Sequence, residues 1–141
     1  MAEIALTDAM RDALAEVFTT RAFAMIATAS KDGVPDMTFK GSMMVWDGEH
    51  LAYWERALGT TLRNMQENPN VCVMLTNFTN RTFYKWWGVA ECLGEGELRQ
   101  QVMDRTVAAE LDRDPERRGY AIVIRVDKVS ELGKITMERG A

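Results

Sequence analysis

Histidine is nearly absent from this chain of 141 residues: His50 is the only one. A single imidazole excludes a multi-histidine metal site built within one chain. Cysteine is scarce as well. Cys72 and Cys92 both lie in apolar, strand-like runs with neither metal spacing nor a pairing pattern, so they read as buried thiols of a reducing compartment. No block of Lys and Arg stands out, and the net charge is −4 with a pI of about 5.1, which argues against a nucleic-acid surface. No apolar run is long enough to span a bilayer. The start of the chain carries Glu3, Asp8 and Asp12 instead of a basic segment followed by an apolar block, so no signal peptide is expected and a cytoplasmic location is. Neither internal repeats nor low-complexity segments are found.

What is present is a globular composition. Hydrophobic residues make up 47%, with 4 Trp and 10 Met, enough for one folded domain over residues 1–141 without disulfides or metals. Thr7 or Asp8 can cap a first helix over about 7–19, whose Met10, Ala13, Leu14, Val17 and Phe18 recur at helical spacing. Strands are expected at Ala22–Ala29, Met37–Trp46, Leu51–Trp54, Val71–Thr76, Thr82–Cys92 and Tyr120–Val126, with a weaker one at Val129–Met137. Lys31-Asp32-Gly33 and Asp47-Gly48 are hairpin signals, and Gly41-Ser42 suggests a bulge or a place where backbone approaches a ligand. A helix is expected over Glu97–Leu111, then a charged loop or second helix around Pro115. The sum is a mainly β (α+β) chain of about six strands in an antiparallel meander, closing into a small barrel with peripheral helices.

The most informative stretch is Gly59-Thr60-Thr61-Leu62-Arg63-Asn64, a short helix between two strands that Pro69 ends. Its first backbone N–H groups lack partners, and its two hydroxyls can complete a cradle around an anion such as phosphate. Asn64 falls on the same side of the turn as Thr61. The simpler reading of the same residues is an ordinary threonine cap.

In their order and spacing, Phe23–Thr28, Asp32-Gly33-Val34-Pro35, Asp47-Gly48, Leu51–Trp54, Thr61–Met65, Asn68–Val71 and Gly88–Glu91 resemble the pyridoxamine-phosphate-oxidase-like, FMN-binding split-barrel family. The resemblance implies a six-stranded antiparallel split β-barrel that forms a homodimer, with one FMN per subunit at the interface. By position, Thr60, Thr61 and Asn64 would surround the phosphate. The strand carrying Thr38, Phe39 and Lys40 would run beside the ribityl chain and isoalloxazine, and Trp54 and Arg56 would close the phosphate side. Trp86 and Trp87 would lie near the partner subunit, although adjacent strand residues face opposite ways and one of them fits a core position.

Two departures qualify the resemblance. Many members carry Lys or Arg where this chain has Thr60 and Thr61, so another cation must serve: Arg56 first, then Lys40 or Arg63. If none reaches, FMN affinity is low or another flavin is the ligand. The tail Gly133–Ala141 contains no histidine, so oxidation of pyridoxamine phosphate is not the expected reaction. His50 reads as an exposed turn residue, and the carboxylates from Asp104 to Glu116 as a solvated surface. The expectation is an FMN-dependent oxidoreductase acting on a small molecule. The alternatives are a carrier of the same fold that holds flavin, deazaflavin or haem without turnover, or a purely structural dimer.

Overall fold

Alternation of side chains decides which side of the sheet each residue takes, and the computed structural model, which describes residues 1–141, follows it closely. In β1 (Ala24–Ala29), Ala24, Ile26 and Thr28 are buried while Met25, Ala27 and Ala29 lie half-buried on the other face. β2 (Pro35–Lys40), β3 (Met44–Asp47), β4 (His50–Glu55), β5 (Asn70–Asn77), β6 (Thr82–Leu93), β7 (Tyr120–Glu131) and β8 (Lys134–Glu138) complete an eight-stranded sheet. Every ladder is antiparallel. The order is β2-β1-β5-β6-β7-β4-β3, with β8 on the far half of β7.

β2 and β3 are consecutive in the chain yet lie at opposite ends of this path, joined only by Gly41-Ser42-Met43. Three residues span little distance, so the sheet must curl until its ends meet. No ladder joins β2 to β3, and the barrel is therefore split. Side chains mend the seam: the Ser42 hydroxyl accepts from the Trp54 N–H at 3.0 Å and donates to the Trp54 carbonyl at 3.3 Å.

The curled sheet encloses the main core, which includes Ile26, Val45, Leu51, Tyr53, Val73, Leu75, Trp86, Ile122 and Ile124. α1 (Asp8–Ala15), capped by the Thr7 hydroxyl, buries Met10 and Leu14 against it, and α3 (Thr60–Glu67) adds Leu62 and Met65. A second core lies outside the sheet, where α4 (Glu97–Arg105) places Val102 over Ala52, Trp54, Ala121 and Val123. The remaining helices are short: α2 (Val17–Thr20) and α5 (Ala108–Leu111). None of the helices is long and apolar enough to cross a membrane.

The sequence expectation of about six strands merges segments that the structure separates. Met37–Trp46 divides at Gly41-Ser42 because the chain there crosses from one end of the sheet to the other. Val129–Glu131 continue β7, and the last hairpin turns at Leu132-Gly133, where Leu132 itself adopts φ 50°. The first helix breaks at Glu16, and the Glu97–Leu111 helix breaks at Thr106, whose hydroxyl donates back to the Val102 carbonyl at 2.7 Å.

One polar knot locks the outer core. Asp114 is buried and accepts from the Trp54 indole N–H at 2.9 Å, the Gly119 N–H at 2.8 Å and the Arg118 N–H at 3.0 Å. Gly119 is required there, since a Cβ would run into the Trp54 indole. Arg99 lies 4.9 Å above the same indole and donates to the Arg117 and Gly119 carbonyls. Burial pushes the Asp114 carboxyl up, but the hydrogen bonds from Arg118, Trp54 and Gly119 and the Arg117 charge outweigh it, and the net shift is below the ordinary value of 3.8.

Asp114→Ala leaves two buried donors without partners, each costing roughly 1–3 kcal/mol, so urea unfolding at pH 7 is expected to show a loss of at least about 2 kcal/mol. A folded pKa held below the unfolded one means this stabilisation is complete above the unfolded carboxylate pKa, about 3.9, and is lost as pH falls through the lower folded value. The gap between wild type and variant should therefore narrow below about pH 4; a gap independent of pH down to acid unfolding would refute the assignment.

Candidate functional site

The helix start singled out by sequence opens onto solvent. Gly59 precedes α3 and supplies no side-chain cap, and nothing lies within 4 Å of where its Cβ would be. The first-turn N–H groups therefore have no side-chain acceptor. Thr60 is exposed, Thr61 is buried at 6% exposure, and the Arg63 guanidinium curls back to donate to the Thr60 hydroxyl at 3.1 Å. Facing this turn, β2 offers the side of its pleat that carries Asp36, Thr38 and Lys40. A depression of about 300 Å³ runs between them, lined by Thr38, Lys40, Glu55, Gly59, Thr60 and Thr61. A second depression of about 170 Å³ shares Thr38, Lys40 and Ala57 with it and continues past Arg56 to Glu110. Together they form one cleft along β2, from α3 to α5.

Acids built into its walls control the cleft's charge. Glu55 is completely buried; its carboxylate accepts from Lys40 Nζ at 3.0 Å, the Tyr53 hydroxyl at 2.9 Å and the Ala57 N–H at 3.2 Å. Burial, followed by the Glu55 charge and the hydrogen bond to it, raises the Tyr53 phenol well above its ordinary range. Burial also drives the nearby Cys92 thiol up to about 11, with Glu55 and Glu91 adding to the effect. Arg56 donates to Glu110 at 2.8 Å. Gly41 makes room for that carboxylate, which approaches closer than any Cβ would permit. Arg63 is the one cation of the three that pairs with no carboxylate.

The structure thus gathers Thr38, Phe39, Lys40, Arg56, Thr60 and Thr61 along one cleft. Two residues named from sequence turn elsewhere. The Trp54 indole lies in the outer core, where it donates to Asp114. Asn64 is buried and donates across to the Thr28 hydroxyl at 3.0 Å, which ties α3 to β1. Arg56, the favoured cation, is engaged by Glu110, while Arg63 stands at the helix start. Sequence reasoning missed Glu55 and Glu110. The first is a charged residue at the end of a strand that is buried on both faces, and the second belongs to a helix surface that reads as solvated. Trp86 is the core member of its pair and Trp87 faces outward. His50 is half-exposed in its hairpin, with Nδ1 2.8 Å from Asp47.

A larger depression of about 410 Å³, lined by Trp46, His50, Val89, Glu91, Val123 and Arg125 among others, lies elsewhere on the sheet. Its lining contains no hydroxyl side chain, so the smaller cleft is the better candidate for a phosphate. No group of three or more His, Cys, Asp or Glu side chains comes together as a metal site.

Comparison with known proteins agrees with this architecture. An uncharacterised protein of Methanocaldococcus jannaschii is 32% identical over 109 residues, 76% of this chain and 70% of that protein. Among solved structures, HupZ of Group A Streptococcus superposes with a TM-score of 0.75 at 22% identity, covering 96% of this chain and 99% of that one. An FMN-binding protein of Syntrophomonas wolfei gives a TM-score of 0.68 at 11% identity, over 87% and 88% of the two chains. At those identities the two structures establish the shared fold alone. Residues 10–132 match the pyridoxamine 5'-phosphate oxidase family across most of the chain, and the protein belongs to that family.

Proposed function

We infer that residues 1–141 act as one FMN-binding domain, and that the protein is a flavin-dependent oxidoreductase acting on a small molecule. The observation that carries this reading is the start of α3: uncapped N–H groups and the Thr60 and Thr61 hydroxyls border one cleft, and Arg63, which pairs with no carboxylate, reaches the Thr60 hydroxyl. A phosphate monoester matches that donor set, because backbone N–H groups, hydroxyls and a guanidinium all donate to its oxygens. Thr38, Phe39 and Lys40 would accompany the rest of the cofactor along β2, with Arg56 at the far end. Asn64 would act through the helix it anchors, and Trp54 through the strand it holds. Bound FMN would supply the electron or hydride transfer, while the chain supplies orientation and electrostatics. The FMN-binding protein of Syntrophomonas wolfei, built on the same fold, supports the choice of ligand. Two unpaired thiols suit the cytoplasm.

The outward face of β2, β1 and β5 supports a homodimer with the cofactor at its interface. Phe39 pairs across to Met25 and on to Met74, and Met37 to Ala27 and on to Cys72. Met37 and Phe39 are 59% and 66% exposed, and Val34 beside them 65%. An apolar, methionine-rich stripe of this kind is what a second copy would cover. It adjoins the cleft through Phe39, so pairing would bring partner residues to the bound flavin.

Purified protein incubated with excess FMN and desalted is expected to keep two visible flavin bands. Loss of all colour would overturn the reading, and a single intense Soret band would replace flavin by haem. Arg63→Ala and Thr61→Ala should each weaken FMN binding by about 1.5–3 kcal/mol in a fluorescence titration. Glu110→Gln should act in the opposite direction and tighten it, because Arg56 is then released toward the cleft; weaker binding in that variant would exclude Arg56 from the bound cofactor's surroundings. Sedimentation should find a dimer for the wild type and a monomer with poorer flavin retention for Phe39→Glu. A wild-type monomer would remove the interface site.

A further inference from the structure

The crossover from β2 to β3 borders two hollows of opposite character. Gly41 and Ser42 line the α5 end of the candidate cleft, and they also line an apolar pocket of about 180 Å³ beside α1 and α2. Leu14, Val17 and Met43 are buried and form part of that lining. Phe18 of α2 and Val107, which caps α5, line it too and are exposed, so two apolar side chains from distant parts of the chain flank one opening. An apolar cavity of about 150 Å³ is enough to hold one benzene ring.

Arg105, at the end of α4, is the one charged residue of this lining, and it pairs with no carboxylate. Its guanidinium lies 4.1 Å from the Trp46 ring centroid and donates to the Trp46 and Val45 carbonyls at 3.1 and 3.2 Å. Those contacts fix its place and leave further N–H groups free to donate. A fixed guanidinium beside an apolar hollow matches a carboxylate carried on an apolar body, since it can form charge-assisted bonds to both oxygens. Past Gly41 the next charge is Glu110, and Arg56 already matches it. An acid held at Arg105 would therefore lay its body across the pocket and direct its far end to Gly41 and Ser42, where the cleft begins.

We propose that this pocket is a substrate subsite, and that the substrate is an apolar monocarboxylic acid whose body is about the size of one ring. The assignment to substrate rests on the flavin reading, in which the phosphate occupies the opposite, α3 end of the cleft.

The test uses the full chain with phenylacetate, its neutral analogue 2-phenylethanol, and acetate, which has no apolar body. In calorimetric titrations without flavin, phenylacetate is expected to bind at least about tenfold tighter than either of the other two. Arg105→Gln should remove the preference for acid over alcohol, and Arg105→Lys should keep most of it. Val107→Asp puts a like charge at the opening and should abolish binding of phenylacetate. Aspartate suits a helix cap, so that variant should keep its melting temperature, and its FMN affinity as well. In the flavin-loaded protein, saturating phenylacetate should shift the visible flavin bands. Equal binding of acid and alcohol, or undiminished binding by Val107→Asp, would overturn the pocket. Unshifted flavin bands at saturation, or a loss of FMN affinity in Val107→Asp, would overturn its assignment to substrate. A wild type that retains no flavin fails the flavin reading, and the calorimetry still reads the pocket by itself.

Discussion

A fully buried carboxylate at the seam of the barrel organises the rest of the molecule. Glu55 ends β4, where the curled sheet brings back the end of β2, and it accepts hydrogen bonds from Lys40, Tyr53 and the Ala57 N–H. A charge removed from water is tolerated only with such partners. Each partner belongs to a different part of the seam: the closing edge strand, the core, and the loop that launches α3. The geometry of the candidate cleft therefore depends on one carboxylate that contacts no solvent. Ser42 adds a neutral counterpart one residue away, by substituting for ladder bonds that β2 and β3 cannot make with each other.

The same economy of charge gives the cleft its character. Lys40 and Arg56 are matched by Glu55 and Glu110, and Asp36 is a third acid, so the walls carry two cations and three acids. The field at the cleft is then set by how each pair is oriented and by the one unmatched acid. An anionic ligand would have to compete with the internal acids for the cations, and this links affinity to the rigidity of those acids. Gly41 is part of that arrangement, because only a residue without a side chain lets Glu110 close over the end of β2.

Much of the architecture is legible in local sequence signals. Hairpin dipeptides, alternation and the Thr-rich helix start placed β1, β4, β5, β6 and α3 within a residue or two. The errors share one cause: they lie where long-range geometry overrules local pattern. Nothing around Gly41-Ser42 says that the next residue begins a strand at the far end of the sheet. Trp54 is assigned to the phosphate side by position in the resemblance alone, yet Asp114, sixty positions later, draws its indole into the outer core. Glu110 looks like helix surface until Arg56 is brought beside it. Arg63 was visible as a cation, but its direction depends on how Gly59 begins the helix.

The place of β7 in the sheet has a consequence for the life of the chain before it is finished. This strand is the next to last in sequence, yet it sits inside the path and pairs with β4, β6 and β8. Until it arrives, β3 and β4 form an isolated hairpin, and β6 presents a bare edge beside its apolar inner face. Such long-range closure makes folding slow and leaves unpaired edges open to other chains. A ribosome must therefore deliver the chain through β7 before the barrel can close. Premature termination anywhere ahead of Tyr120 would release an open, sticky half-sheet in place of a smaller folded domain.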